Sequence, residues 1–312
     1  MTRTAWRTTA ARGRPSPGRR AVRPLNSGHL DTGRTRAREV GYRCRYPMTE
    51  QAEIVLDAFA CHRLTGLLSD DDPTLDEERA YAIAHEVHAR RVQRGEQPIG
   101  RKIGFTNRTI WARYGVWAPI WGYVYDSTVQ HAPDGRAHVE VGHLLQPHIE
   151  PEIQLHFART PPVTRDEAAI LDCIDWISHG FELVQCPFPD WKFEAVDTIA
   201  ACALHGALVV GPPVAVTDIE DCAAKLRSFT VTLSNDGERQ VTGGGANVLD
   251  SPLLAFAHLA EVLDRQRLST PVQAGELITT GTLTVPLPAT PGDVYSVTLD
   301  GINLPGLSLT IA

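Results

Sequence analysis

Three glutamates stand where an apolar core segment would be expected. Glu150-Pro151-Glu152 lies in a strand-like run that starts near His148, and Glu182 follows thirty residues after Glu152 in Gly180-Phe181-Glu182-Leu183. Residues i and i+2 of a strand share a face, so Glu150 and Glu152 point one way while Ile149 and Ile153 point the other. Burying even one ionised carboxylate without a partner costs several kcal/mol. Three beside one apolar segment therefore call for a cation, and an all-oxygen donor set favours Mg²⁺ or Mn²⁺. The competing reading is exposed strand residues paired with arginines, because a bare E-x-E is common. Lys102 is a second chemical candidate, by elimination. Of thirty basic residues only Lys102, Lys192 and Lys225 are lysines. A lysine kept between small and apolar neighbours suits a task that needs a compact ammonium whose pKa responds to burial. A lysine on an exposed edge strand fits the same segment.

Positioning the carboxylates falls to a strand-helix-strand unit. The capping box Thr164-Arg165-Asp166-Glu167 opens a helix expected to carry Ile170, Leu171, Ile174 and Ile177, which returns the chain to a strand at Glu182. Upstream, Gly100 to Asn107 reads as a short strand running into a turn and then a short helix to about Tyr114. Before it, apolar spacing predicts helices over Thr49 to Leu68 and from Asp72-Pro73 to Gly95, the latter with Glu77 and Glu78 early and Arg90, Arg91 and Arg94 late, as the helix dipole favours. Pro133-Asp134-Gly135 and Asn235-Asp236-Gly237 each sit between alternating runs and predict hairpins at Val129–Val141 and Phe229–Val241. Gly243-Gly244-Gly245 lacks the context of a phosphate loop and reads as a mobile link or a tight backbone approach. Ser251-Pro252 starts an amphipathic helix to about Arg267, and Leu277 to Ile311 is a series of short β runs. This β-rich second half decorated by helices is too irregular for a doubly wound sheet.

At 312 residues and 43% apolar composition the chain can bury a sizeable core. Its apolar runs are far shorter than the roughly 20 residues of a spanning helix, so no membrane association is expected. The six cysteines form no C-x-x-C pairs, which suits a reducing, cytoplasmic setting. Residues 1–47 hold twelve arginines against Asp31 and Glu39, a formal +10, which leaves −17 for the rest of a chain whose total is −7. The acidic body argues against nucleic-acid binding. The Arg-rich segment 1–47 is expected to be a disordered tail, or upstream sequence from a start placed before Met48. It is followed by a helical N-terminal subdomain at 48–98 and a metal-binding, β-rich catalytic domain at 99–312. His143, His148, His156, His179 and His205 show no paired-ligand spacing and read as polar or packed histidines, with His148 as a candidate to support the carboxylates. No serine-nucleophile elbow or nucleotide-binding glycine fingerprint is present.

Four separated motifs add to this. Gly100-Arg101-Lys102-Ile103-Gly104-Phe105-Thr106, Glu150-Pro151-Glu152 with Phe181-Glu182, Gly243 to Leu254, and the stretch A-G-E-L-I-T-T-G-T-L-T at 274–284 fall in one order. That order resembles the 2-keto-4-pentenoate hydratase / 4-oxalocrotonate decarboxylase group of the fumarylacetoacetate hydrolase superfamily, over about Met48 to Ala312. The resemblance implies an α+β fold, a fumarylacetoacetase C-terminal-like distorted β-roll or sandwich with flanking helices and a small helical N-terminal subdomain, assembled as homo-oligomers. It implies Mg²⁺ or Mn²⁺ held by Glu150, Glu152 and Glu182, with Lys102 as the active-site lysine. The activity implied is a lyase on a small 2-oxo acid or its dienol, first a hydratase of a 2-hydroxy-2,4-dienoate from aromatic-compound breakdown. Decarboxylation of a 4-oxalocrotonate-like diacid is the alternative, followed by acylpyruvate-type C–C hydrolysis or a non-catalytic 2-oxo-acid-binding partner. The chain departs from the hydratase pattern in three places. A Pro-Asp-Phe-Gly-like stretch reads Pro119-Ile120-Trp121-Gly122, Ala-Asp-Asn reads Ala200-Ala201-Cys202, and Gly-His-Pro reads Asp250-Ser251-Pro252. An apolar Ile120 cannot shuttle a proton, which bears on the hydration step and the substrate.

Overall fold

The computed structural model describes residues 48–236 and 239–312; the expectation for residues 1–47 lies outside them. Three helices come first: α1 (Glu50–Ala60), α2 (Leu68–Asp71) and α3 (Glu77–Gln93). Thr49 caps α1 by accepting from the Ala52 N–H, and Asp76 caps α3 by accepting from Arg79. Gly95, at φ +100°, ends α3 in the left-handed conformation. The first helix stops at Ala60, short of the expected Leu68. The chain then turns so that the Ser69 N–H and hydroxyl donate to the buried Asp197 carboxylate at 2.9 and 2.8 Å.

Next come β1 (Pro98–Gly104), α4 (Trp111–Tyr114), β2 (Ile120–Tyr125), β3 (Val129–His131) and β4 (Arg136–Val139). The long pair β5 (His148–Phe157) and β6 (Ile174–Val184) is joined through α5 (Glu167–Leu171). Then follow α6 (Ala195–Ala200), β7 (His205–Val210), β8 (Val214–Ala215) and α7 (Cys222–Ser228). The chain continues with β9 (Thr230–Asn235), β10 (Arg239–Gly244) and α8 (Pro252–Arg265). It closes with β11 (Leu277–Thr279), β12 (Leu287–Pro288), β13 (Val294–Asp300) and β14 (Ser308–Ile311). One nine-stranded sheet runs β2-β1-β11-β5-β6-β7-β3, with β12 on β5 and β8 on β6; a five-stranded sheet runs β10-β9-β13-β14-β4. Helices α1, α3 and α8 share one hydrophobic core with both sheets, through residues such as Val55, Val87, Phe181, Phe256 and Leu309.

Two local expectations are corrected by this topology. The turn at Pro133-Asp134-Gly135 exists, but β3 pairs in parallel with β7 and β4 in parallel with β14, so it carries the chain from one sheet to the other instead of closing a hairpin. Helix α5 ends at Leu171, and Ile174 and Ile177 belong to β6, where branched side chains pack on a pleated surface. The hairpin β9-β10 forms as expected. Gly243 answers the glycine run as a tight approach, since a Cβ there would fall 1.9 Å from the Leu283 carbonyl oxygen.

His179 on β6 is 1% exposed, its ring meets Phe181 edge-on, and neither ring nitrogen has a partner. Burial pushes its pKa down to about 3. The unfolded chain binds a proton here below about 6.5 whereas the native one waits until far lower pH, so stability falls as pH drops through that window, by up to ~1.4 kcal/mol per unit. The expected result is that His179→Leu loses less Tm than the parent between about pH 7.5 and about pH 5. Equal losses in the two proteins would remove His179 as the cause.

Candidate metal centre

Antiparallel pairing of β5 with β6 sets Glu150 opposite Glu182 and Glu152 opposite Gly180. The two glutamates of β5 share its face, as i and i+2 must, and one carboxylate oxygen from each of the three residues lies within 4.8 Å of the others. Glu152 and Glu182 are fully buried, and Glu150 is 9% exposed and lines a cleft. From β1, separated from β5 by β11 in the same sheet, Lys102 is 2% exposed and brings Nζ to 3.1 Å from Glu182 Oε2 and 2.9 Å from the Ala203 carbonyl. The surface-lysine reading therefore does not hold. The four residues singled out from sequence converge on one point.

Each carboxylate is held differently. Glu152 Oε2 accepts from the Thr279 hydroxyl and, at 2.8 Å, from the Gly281 N–H, while its Oε1 has no partner. Gly281 needs to be glycine: its φ is +102°, and a Cβ would fall 1.8 Å from Thr106 Oγ1. Glu182 Oε1 accepts from His205 Nδ1 at 2.8 Å, and Thr128 Oγ1 lies 2.9 Å from the other ring nitrogen. Burial lowers the His205 pKa despite the carboxylate beside it. A neutral ring suits this setting, with Nδ1–H donating to Glu182 and Nε2 as an acceptor; the single Thr128 hydroxyl proton serves either Nε2 or the Tyr125 carbonyl, each 2.9 Å away. Glu182 Oε2 faces Lys102 as an ion pair without an aligned hydrogen bond.

The electrostatics follow from burial and from crowding of like charge. Burial raises the Glu150 pKa to about 7 against the pull of Lys102. Burial, then the charges of Glu182 and Glu150, raise Glu152 well above the usual range. Burial would raise Glu182 as well, but Lys102 and His205 hold it below the usual carboxylate value. The ammonium of Lys102 is destabilised by burial and restored by the three glutamates, with a net upward shift. Three carboxylates against one ammonium leave a formal −2, with two carboxylate oxygens lacking hydrogen bonds. That donor set suits a hard divalent cation.

His148 stands apart from the carboxylates. Its ring lies edge-on to Trp191 at 4.4 Å, and its Nδ1 faces the Gln146 carbonyl. His205, read from the sequence as a polar or packed histidine without a role at the site, supports Glu182. The available signal was weak: a polar ring beside Gly206, at the start of the strand that pairs with Glu182's own. Thr279 and Gly281 lay within a quoted motif without an assigned role. Ile120 is buried at the start of β2, opposite Gly104, which lines the cleft. The Cys202 thiol is buried and pushed up to about 11, so it is a neutral group. The cleft, about 420 Å³ including its open mouth, is lined by Lys102, Glu150, Gly104, Thr282 and a largely apolar wall.

A family model described as fumarylacetoacetate (FAA) hydrolase C-terminal matches residues 123–305. A 2-keto-4-pentenoate hydratase of Paraburkholderia xenovorans (strain LB400) is 32% identical over 257 residues, covering 81% of this chain and 91% of that protein. A 4-oxalocrotonate decarboxylase of Pseudomonas putida is 31% identical over 257 residues, covering 81% and 91%. Among solved structures, the 4-oxalocrotonate decarboxylase from Pseudomonas putida G7 complexed with magnesium and adipate superposes with a TM-score of 0.75 at 26% identity, covering 84% of this chain and 96% of that one.

Proposed function

The chain belongs to the fumarylacetoacetate hydrolase family, and within it we propose a divalent-cation-dependent lyase, first a hydratase of a 2-hydroxy-2,4-dienoate, with its catalytic groups in residues 99–312. The observation that carries this reading is the buried set Glu150, Glu152 and Glu182 beside Lys102, three carboxylates against one ammonium with a formal charge of −2 when all are ionised. Glu150, Glu152 and Glu182 are the residues that would hold Mg²⁺ or Mn²⁺. When bound, such an ion supplies Lewis acidity that favours negative charge on the 2-oxygen of the substrate.

The chain's own groups account for the remaining tasks. Hydration needs the 2-hydroxyl proton removed and a proton delivered to C5, which gives a 2-oxo-3-enoate. Water then adds its hydroxyl at C4 and a proton at C3. Among the described residues lining the cleft, the ionisable side chains are Lys102, Glu150 and Tyr114. Lys102, fixed by Glu182 and the Ala203 carbonyl, holds the substrate carboxylate or moves the proton. His205 and Thr128 keep Glu182 oriented and Thr279 and Gly281 do the same for Glu152, so the carboxylates are set before substrate arrives. Decarboxylation of a 2-oxo diacid passes through the same dienolate, and the relative named for that reaction keeps it as the second reading.

The test strips the protein of metal, restores Mg²⁺, and follows the ultraviolet absorbance of a 2-hydroxypenta-2,4-dienoate. The expected result is loss of the chromophore only with metal present, and a product heavier by one water. A metal-independent or absent reaction across hydratase and decarboxylase substrates would sink the reading. Loss of CO₂ from a diacid as the sole reaction would establish the second.

A further inference from the structure

Among the described residues lining the cleft, every polar side chain but one is already engaged. Lys102 Nζ faces Glu182 and the Ala203 carbonyl, and Glu150 belongs to the carboxylate cluster. The Trp191 indole donates to the Gln146 carbonyl at 3.0 Å, and the Thr282 hydroxyl donates to the Thr284 carbonyl at 3.0 Å. The remaining one is Tyr114, whose hydroxyl has no hydrogen-bond partner among the described residues. Ile120, buried opposite Gly104, has no proton to offer.

That phenol is also fixed in place. Tyr114 ends α4, where Gly115 at φ +65° forms the left-handed cap and donates its N–H to the Trp111 carbonyl. The Trp111 indole in turn donates to the Phe105 carbonyl at 2.7 Å. The Tyr114 ring stacks on Phe193, with centroids 5.8 Å apart and planes 11° from parallel, and the exposed Arg113 guanidinium lies 5.3 Å from its centroid. Burial raises the phenol pKa above its ordinary value, and Arg113 offsets this only in part. At neutral pH the group is an uncharged hydroxyl, able to accept one proton while donating another.

Resting on the hydratase reading above, we infer that Tyr114 is a catalytic residue of the hydration step, where its hydroxyl relays a proton from the adding water to the substrate. With the carboxylate end of the 2-oxo-3-enoate held at Lys102, C3 and C4 extend toward the rest of the lining. The bond from the water oxygen to C4 forms as the double bond between C3 and C4 opens. The water gives a proton to the phenol oxygen, the phenol gives its own to C3, and Tyr114 ends as it began. A relay that stays uncharged suits a wall built from Phe105, Ile110, Leu204 and Pro286, against which an ionised base would lose its hydration without a partner.

Tyr114→Phe keeps the ring on Phe193 and deletes the hydroxyl alone, so the full chain of this variant, loaded with Mg²⁺, tests the role. Its Mg²⁺ affinity by calorimetry and its Tm should match the parent, and it should still consume 2-hydroxypenta-2,4-dienoate. The product should differ: the parent releases the hydrated 2-oxo acid, and the variant releases 2-oxopent-3-enoate, equal in mass to the substrate. When 2-oxopent-3-enoate is supplied directly, kcat for its hydration should fall at least ~10²-fold in the variant with KM within ~3-fold. Hydration at the parent's rate would remove the hydroxyl from the reaction, and equal losses in dienol consumption and hydration would leave Tyr114 as wall alone. Either result overturns the inference with the hydratase reading intact. A parent that forms no hydrated product from either compound would instead reject the hydratase reading, and the inference with it.

Discussion

Glu152→Gln should weaken Mg²⁺ binding at least ~100-fold in calorimetry while leaving the fold intact. The two Glu152 oxygens differ: Oε2 is committed to Thr279 and Gly281, and Oε1 is buried without a partner and free to serve as a ligand atom. A glutamine amide must give its oxygen to the Gly281 N–H, which turns its NH₂, a donor, toward the site where an acceptor is needed. Without metal the sign reverses. Burial and like charge raise Glu150 to about 7 and hold Glu152 well above the usual carboxylate range. A carboxyl whose folded pKa is raised contributes stability below its unfolded pKa, and that contribution is lost as pH rises through the folded value. The metal-free parent should therefore lose stability from about pH 4.5 upward through 7, and Glu152→Gln should lose less. Mg²⁺ at a hundred times Kd should restore about 2.7 kcal/mol to the parent alone. Its binding should release protons and tighten with pH across neutrality. Thermal unfolding with chelator and with Mg²⁺ reads both effects; unchanged affinity in the variant would refute the assignment of Glu152.

What the sequence disclosed depended on whether the determining interaction was local. Glu150 and Glu152 were legible because strand alternation alone puts them on one face, and Lys102 because the chain uses arginine almost everywhere else. His205 was not, since its contact depends on a register shift between Leu183 and Val184 where β6 meets β7. The turn at Pro133-Asp134-Gly135 has the same local chemistry whether the chain returns to its own sheet or crosses to the second, and only the partners β7 and β14 decide. Ile174 and Ile177 continue a helical spacing after Leu171, and pairing with β5 draws them into a strand. The wall of the cleft was the least legible part. Phe105, Trp191 and Leu204 carry no glycine or asparagine signal for positive φ, so tertiary contacts impose their conformation.

Lys102→Ala separates turnover from metal binding. The ammonium neutralises one of three buried carboxylates, so its removal leaves Glu182 against Glu150 and Glu152 with only His205 in support. Breaking a buried ion pair from one side costs about 3–5 kcal/mol, and the metal-free variant should unfold at correspondingly lower temperature. Mg²⁺ then meets a more negative site, so its affinity should hold or increase, and saturating metal should recover much of the lost stability. Turnover should not recover. Without Lys102 the cleft keeps Glu150 and Tyr114 as its ionisable lining, neither of which supplies a cation for the substrate carboxylate, and kcat should fall ~10²- to 10⁴-fold with metal bound. Lys102→Arg tests shape at the same charge. Nζ lies 3.5 Å from where a Gly104 Cβ would stand and is fixed by the Ala203 carbonyl, so a planar guanidinium cannot occupy the same volume. Arginine should thus preserve charge balance better than alanine yet remain catalytically poor. Full turnover in Lys102→Ala at saturating Mg²⁺ would leave the lysine with charge balance alone and transfer the proton chemistry to Glu150 or Tyr114.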